Sequence, residues 1–201
     1  MANVVNRTAV PIEILYSVNT PDYDPAQWII NPDLTILDTV PIHYIKIVGD
    51  LLVEMTVAEK AAVDAAELIE EKARVTMLVC EARESYVSNG PGVEYPAGSG
   101  KFFKVTDQDQ SRWLYWQSMG SKWASLGLSF PFRVYSRDGK NYVDIPNANG
   151  FTTVVNVIGA YVVGLFATAQ SVIVAVNSAI SLAGVTAASS DYLANAPQNQ
   201  T

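Results

Sequence analysis

The sequence predicts an α+β protein in which short β-hairpins are combined with helices, including one long apolar helix near the C-terminus. The long helix is indicated by residues 145–190, which contain no charged residue. Hairpins are indicated by Gly49-Asp50 and Asp138-Gly139, because each pair separates two β-prone segments in the manner of a two-residue turn. A further helix is indicated by Thr56 and Glu59, which form a capping box in front of an Ala-rich segment.

The distribution of turn residues and apolar residues divides the chain into four parts. The clearest boundary lies at residues 88–92, where Ser, Asn, Gly and Pro follow one another. The predicted parts are an extended docking arm (1–40), a hairpin plus Ala-rich helix (41–87), a hairpin–helix–hairpin–long-helix domain (88–186) and a polar tail (187–201).

The N-terminal part is predicted to be a docking arm. Prolines recur through residues 11–41 and prevent any long helix, yet the segment is too apolar for a free linker. An extended arm or short strand lying on another surface, such as a neighbouring subunit, fits both properties. The predicted docking residues are Ile12, Ile14, Tyr16, Trp28, Ile29 and Ile30.

The three hairpins are predicted over residues 43–56, 93–105 and 132–146. In the third, counting outward from Asp138-Gly139 places Phe132 opposite Ile145 on an apolar face. The helix that follows Pro146 is the adjacent element on which this face can rest. Residues 75–84 fit either a strand or a continuation of the Ala-rich helix.

The long apolar segment is long enough to span a bilayer, which takes about 20 residues. Scattered polar residues and the absence of Lys or Arg beyond Lys140 argue against a membrane span. Burial against protein is favoured instead, as the spine of a domain or of a subunit interface. An apolar heptad stripe predicts the oligomer interface: Phe151, Val155, Ile158, Val162, Leu165, Val172 and Val176. Asn156, Gln170 and Asn177 share the opposite edge, interrupted by Val163.

The composition argues against several kinds of chemistry. A net charge of −7 argues against nonspecific nucleic-acid binding. One Cys and one His cannot form a zinc site of the His/Cys kind within one chain. The sequence contains no phosphate loop, nucleophile elbow or zinc-protease motif, so we expect no enzyme activity, no cofactor and no bound metal. The tryptophans at helical spacing after residue 106 favour core packing over stacking on sugars.

Two segments of the sequence are similar to segments of known protein families. The sequence VPIHYIKIVGDLLVEMTVAEKAAVDAAE resembles a segment of structural proteins of tailed bacteriophages. The later part, from VEYPAGSGKFF through the long helix, is similar to a domain of unknown function found in phage tail-fibre and tail-associated proteins. The pattern of that domain is a helix that opens with Asp-Gln-x-Ser-Arg, here Asp109-Gln110-Ser111-Arg112, then a hairpin and then a long Ala-rich helix.

The resemblance implies a virion structural protein that is a tail fibre, fibre adaptor or tail-tip component. Its partners would be other virion proteins and further copies of itself, and it would be assembled in the host cytoplasm. Neck or head decoration is the alternative location, and a host-surface glycan-binding module that uses Trp and Tyr side chains is the alternative function. A membrane-active protein with residues 151–182 as its span is a third hypothesis.

Overall fold

The structure, a computed structural model, describes residues 2–9, 11–19, 22–120 and 122–197. It has two compact units, Met1–Glu70 and Glu71–Thr201, and the boundary falls within one continuous helix. The α+β fold class is confirmed. The strands and α-helices are β1 (Ala2–Asn6), β2 (Ile14–Val18), β3 (Trp28–Ile30), β4 (Ile45–Val48), β5 (Leu51–Glu54), α1 (Val57–Asn89), β6 (Val93–Glu94), β7 (Phe102–Phe103), α2 (Asp107–Gly120), β8 (Phe132–Tyr135), β9 (Tyr142–Ile145), α3 (Ala148–Ser178) and α4 (Leu182–Ala194).

The N-terminal residues form short strands, the second of the two expected states, and these pair in an antiparallel sheet in the order β2-β1-β3. The central strand β1 has Val4 and Val5 fully buried. The described prolines of this region, among them Pro11 and Pro25, lie in the connections, where they remove no ladder hydrogen bond.

The predicted docking residues are largely taken up by this sheet. Tyr16 remains 61% exposed, whereas Ile29 is 5% exposed. The other four are half-buried: Ile12, Ile14, Trp28 and Ile30.

The hairpin β4–β5 and the start of α1 agree with the sequence prediction. Ile45 pairs with Glu54 and Val48 pairs with Leu51. The capping box is present, since the Thr56 N–H donates to Glu59 Oε2 (2.8 Å) and the Glu59 N–H donates to Thr56 Oγ1 (3.3 Å). Residues 75–84 continue α1, so the helical alternative is the correct one.

The hairpin β8–β9 has the predicted register, with Phe132 opposite Ile145 and Val134 opposite Val143. Its apolar face rests on the first turns of α3, as expected. Helix α3 begins at the N-cap Asn147, whose side chain accepts from the Gly150 N–H at 3.2 Å.

The C-terminal segment is helical beyond the predicted end of the long helix. The chain leaves helical geometry at Ala179, and Ser181 caps α4 by accepting from the Gly184 N–H at 3.1 Å. Val185 and Ser189 of α4 are buried, so most of the predicted polar tail is a packed helix. Residues 198–201 of that tail lie outside the described residues.

The β8–β9 connection is longer than the expected two-residue turn, because β8 ends at Tyr135 and β9 begins at Tyr142. Its turn is closed by the Gly139 N–H, which donates to the Ser136 carbonyl at 2.9 Å, and Gly139 has a φ of +67°. Replacing Gly139 by Val should destabilise the second unit by about 1–2 kcal/mol, because a β-branched residue is strained in the left-handed region. The measurement is the thermal unfolding midpoint. Gly139→Asn is the matched control, since Asn tolerates this φ, and its unfolding midpoint should be close to that of wild type. Equal midpoints for the Val and wild-type chains would contradict the turn assignment.

The carboxylate of Glu59 links pH to stability. The hydrogen bond from Lys46 Nζ (2.5 Å), together with those from Thr56, lowers the pKa of Glu59 from 4.5 to about 2. A lowered folded-state pKa stabilises the fold above pH 4.5, and this contribution disappears as the pH falls towards 2. We therefore expect the Glu59→Gln chain to have a lower thermal unfolding midpoint than wild type at pH 7. The difference between the two midpoints should disappear between pH 4.5 and 2. The control Glu70→Gln should have the same unfolding midpoint as wild type. A difference between Glu59→Gln and wild type that stays constant from pH 7 to pH 2 would refute the linkage.

Candidate assembly surface and ligand cleft

One face of α3 is fixed inside the second unit by an aromatic cluster. Phe151 is fully buried, and five aromatic rings have centroids within 6.4 Å of its ring. These rings come from α2, from the segment that follows it and from β8: Trp113, Trp116, Trp123, Phe130 and Phe132. The cluster therefore decides which side of α3 points inward.

The predicted oligomer interface lies mainly on this inward side. Phe151, Ile158 and Val176 are 0–3% exposed within one chain, so they cannot form an interface with a second copy, and that part of the prediction is corrected. Val155 and Val162 are half-buried and pack against the hydrophobic core that contains Phe151 and Ile158. Leu165 and Val172 are half-buried, and an interface role for these two remains a prediction.

The opposite side of α3 is exposed along most of its length. Seven exposed positions, spaced alternately by four and three residues, form a stripe that we name the heptad face. Its members are Asn156, Ala160, Val163, Ala167, Gln170, Val174 and Asn177. None is charged, although exposed helix positions usually carry charged residues. The sequence places Asn156, Gln170 and Asn177 along one edge of the helix, and the structure shows that this edge faces outward.

Length and composition would allow α3 to cross a membrane, and only 11% of its most apolar 18-residue window is buried in the chain. The second half of α1 lies beside it in the opposite direction. Lys72 Nζ donates to the Asn177 carbonyl at 2.8 Å, and the Arg83 guanidinium lies 4.4 Å from the Phe166 ring centroid. Charged residues of α1 would therefore occupy the depth of a bilayer beside α3, where each costs about 2.5–3.5 kcal/mol.

A separate cleft of about 390 Å³ lies between α2 and β8. Half-buried Trp116 and exposed Tyr135 contribute aromatic surface to it, and Lys104 and Arg112 contribute exposed cations. A third cation, Arg137, donates to the carbonyls of Asn89 (3.3 Å) and Gly90 at the end of α1. Arg112 Nη1 lies 3.5 Å from Oδ1 of Asp109, which also lines the cleft. Lys104 is thus the cation of this cleft with its side chain best placed to meet an anionic ligand.

The motif Asp109-Gln110-Ser111-Arg112 has a structural role at the start of α2. The Thr106 hydroxyl donates to Asp109 Oδ2 at 2.6 Å, and the Asp109 N–H donates to Thr106 Oγ1 at 3.3 Å. Gln110 Nε2 donates to the Val105 carbonyl at 2.7 Å. These bonds satisfy groups at the helix N-terminus, so a capping role explains much of the motif.

Core packing is confirmed for Trp113 and Trp123, each of which is 4% exposed. Trp116 differs in being half-buried, although both Trp113 and Trp116 pack near Phe151 and line the cleft. Within the described ranges, no group of three or more His, Cys, Asp or Glu side chains is arranged to hold a metal ion.

Comparison with known proteins gave no relative. No protein-family model, no curated protein and no solved structure matches this chain.

Removal of the central ring should be far more damaging than removal of a phenyl ring elsewhere on α3. Phe151→Ala should destabilise the second unit by about 3–5 kcal/mol, because it leaves a cavity among five aromatic rings. Phe166→Ala is the matched control and should cost about 1 kcal/mol, since that ring is 45% exposed and mainly contacts Arg83. Denaturant unfolding measures both, and similar losses would show that Phe151 has no special place in the core.

Proposed function

We propose that this chain is a structural protein of a tailed-phage virion, located in the tail as a fibre, fibre adaptor or tail-tip component. It docks on neighbouring virion proteins and associates with further copies of itself. The location in a virion is supported by the resemblance of the hairpin–helix and long-helix segments to phage structural proteins. The subunit role is supported by the exposed, uncharged heptad face of α3.

The heptad face is the observation that carries the proposal. Val163 is 67% exposed and Val174 is 54% exposed, on a helix without a charged residue. Covering such a face with protein removes apolar area from water at about 25 cal/mol per Å². A protein partner can also satisfy the amides of Asn156, Gln170 and Asn177, which lipid chains cannot do.

Docking on other virion proteins is supported by the first unit. Met1–Glu70 contains eleven acidic and three basic residues, whereas Glu71–Thr201 contains nine acidic and ten basic residues. Exposed apolar side chains accompany this acidic charge, including Tyr16 (61%) and Leu51 (65%). An acidic surface with apolar contacts is complementary to a basic, partly apolar partner.

The location is tested by immuno-electron microscopy. Antibodies raised against the purified chain should label the tails of particles produced from the genome that encodes it. A control antibody against an unrelated protein of the same host should label nothing. Labelling of the neck or head would favour the alternative location, and unlabelled particles would contradict a virion protein.

Glycan binding is the second candidate function, because the cleft combines Trp116 and Tyr135 with Lys104 and Arg112. Aromatic faces and cationic side chains suit an acidic saccharide. The purified chain should bind acidic glycans on an array, and Lys104→Ala should weaken that binding about tenfold. Lys122→Ala, an exposed lysine outside the cleft, is the control. A silent array together with no binding to host cells would remove this function.

A further inference from the structure

We infer that the heptad face pairs with the same face of a second copy, with the two α3 helices parallel and in register. This inference rests on the proposed self-association and specifies its surface and geometry. The surface differs from the apolar stripe expected from the sequence, because that stripe is largely buried within one chain.

The spacing of the amides decides the geometry. Asn156, Gln170 and Asn177 lie at intervals of 14 and 7 residues, so all three occupy the same heptad position, together with Val163. The other heptad position of the face holds only Ala160, Ala167 and Val174, and we call the two positions together the seam. In a parallel, in-register pair each seam position faces the same position of the partner helix. In an antiparallel pair each position of one kind faces a position of the other kind.

Parallel pairing therefore places every amide opposite an identical amide. Each Asn or Gln side chain both donates and accepts, so a like pair satisfies itself. Antiparallel pairing would place every amide opposite Ala or Val and leave buried polar groups without partners, at about 1–3 kcal/mol for each group. A polar residue in a coiled-coil seam is known to fix register in this way.

The occupant is a second copy because the alternatives fit the face less well. Lipid would leave the amides without hydrogen bonds and would surround the charged residues of α1 next to α3, such as Arg83. An unrelated helix would need matching amides at the same 14- and 7-residue intervals, which a second copy supplies by identity. Gly159, Ala160 and Ala167 allow the backbones to approach closely.

The same residues determine the strength of the pairing between two copies. Residues 156–177 span about 32 Å at 1.5 Å per residue, which is about three heptads. Ala and Val bury less area than Leu, so the pair should depend on concentration and be reinforced when many copies are held together in an assembly.

Disulfide trapping tests the geometry in the full-length chain. In a Cys80→Ser background, which removes the single cysteine, Ala160→Cys and Val174→Cys are made separately. Each variant alone should form an interchain disulfide under mild oxidation, because parallel in-register pairing brings identical seam positions within disulfide reach. Ala175→Cys is the matched control. It is exposed and adjacent to Val174 but points about 100° away from it, and it should stay reduced.

The outcomes separate the proposals. A Gln170→Cys variant is made in the same background, because antiparallel pairing would place a position of the Ala160 kind opposite a position of the Gln170 kind. Disulfides that form only when the Ala160→Cys and Gln170→Cys chains are mixed would indicate antiparallel pairing and overturn this inference. If an amine-reactive crosslinker joins wild-type chains but neither seam cysteine reacts, the heptad face is not the interface, although self-association stands. If that crosslinker joins no chains at high concentration, both the inference and the proposed self-association fail. Disulfides that require added phospholipid vesicles would identify lipid as the occupant and would also overturn the inference.

A charge placed in the seam gives a second test. Ala167→Glu should weaken association more than tenfold, since it buries two like charges at the same layer. Thr168→Glu adds the same charge at a neighbouring exposed position outside the face and should associate as wild type. Sedimentation velocity measures both variants, and circular dichroism checks that each remains folded. Equal association of the two variants would overturn the inference.

Discussion

The second unit depends on the burial of one phenyl ring, that of Phe151. Its ring meets aromatic side chains from α2, from the following segment and from β8, with the Trp123 centroid at 5.2 Å and the Phe132 centroid at 5.7 Å. Apolar burial of this kind is the main favourable term in folding, and contacts between rings add to it. Because Phe151 lies in the first turn of α3, the cluster also fixes the rotation of a 31-residue helix about its axis.

That rotation has a consequence far from the cluster. With Phe151 inward, the residues of α3 that face outward include Val163, Gln170 and Val174, and all are uncharged. The face combines amide side chains with apolar side chains, and the apolar ones gain free energy when they are covered. The fold of one chain thus presents an uncharged, partly apolar helix surface, and Arg83 of α1 lies beside α3 over the Phe166 ring.

The features that the sequence predicted well are local ones. The register of β8–β9 follows from Asp138-Gly139 and the alternation of side chains, and both act within a few residues. The sheet of β1, β2 and β3 was not predicted, because its strands pair across long connections and its prolines suggested an arm. The two faces of α3 were visible as heptad patterns, but only tertiary packing shows which face is inward. The separate helix α4 depends on the cap at Ser181, a weak signal without an acidic partner three residues later.

One face of α3 completes the core of a single chain, and in the proposed assembly a further copy covers the other face. Light scattering of the purified wild-type chain in detergent-free buffer tests this most directly, over a range of protein concentrations. We expect the mass to rise with concentration to a multiple of 21.8 kDa. A mass that stays at 21.8 kDa at all concentrations, with α3 intact, would contradict the claim.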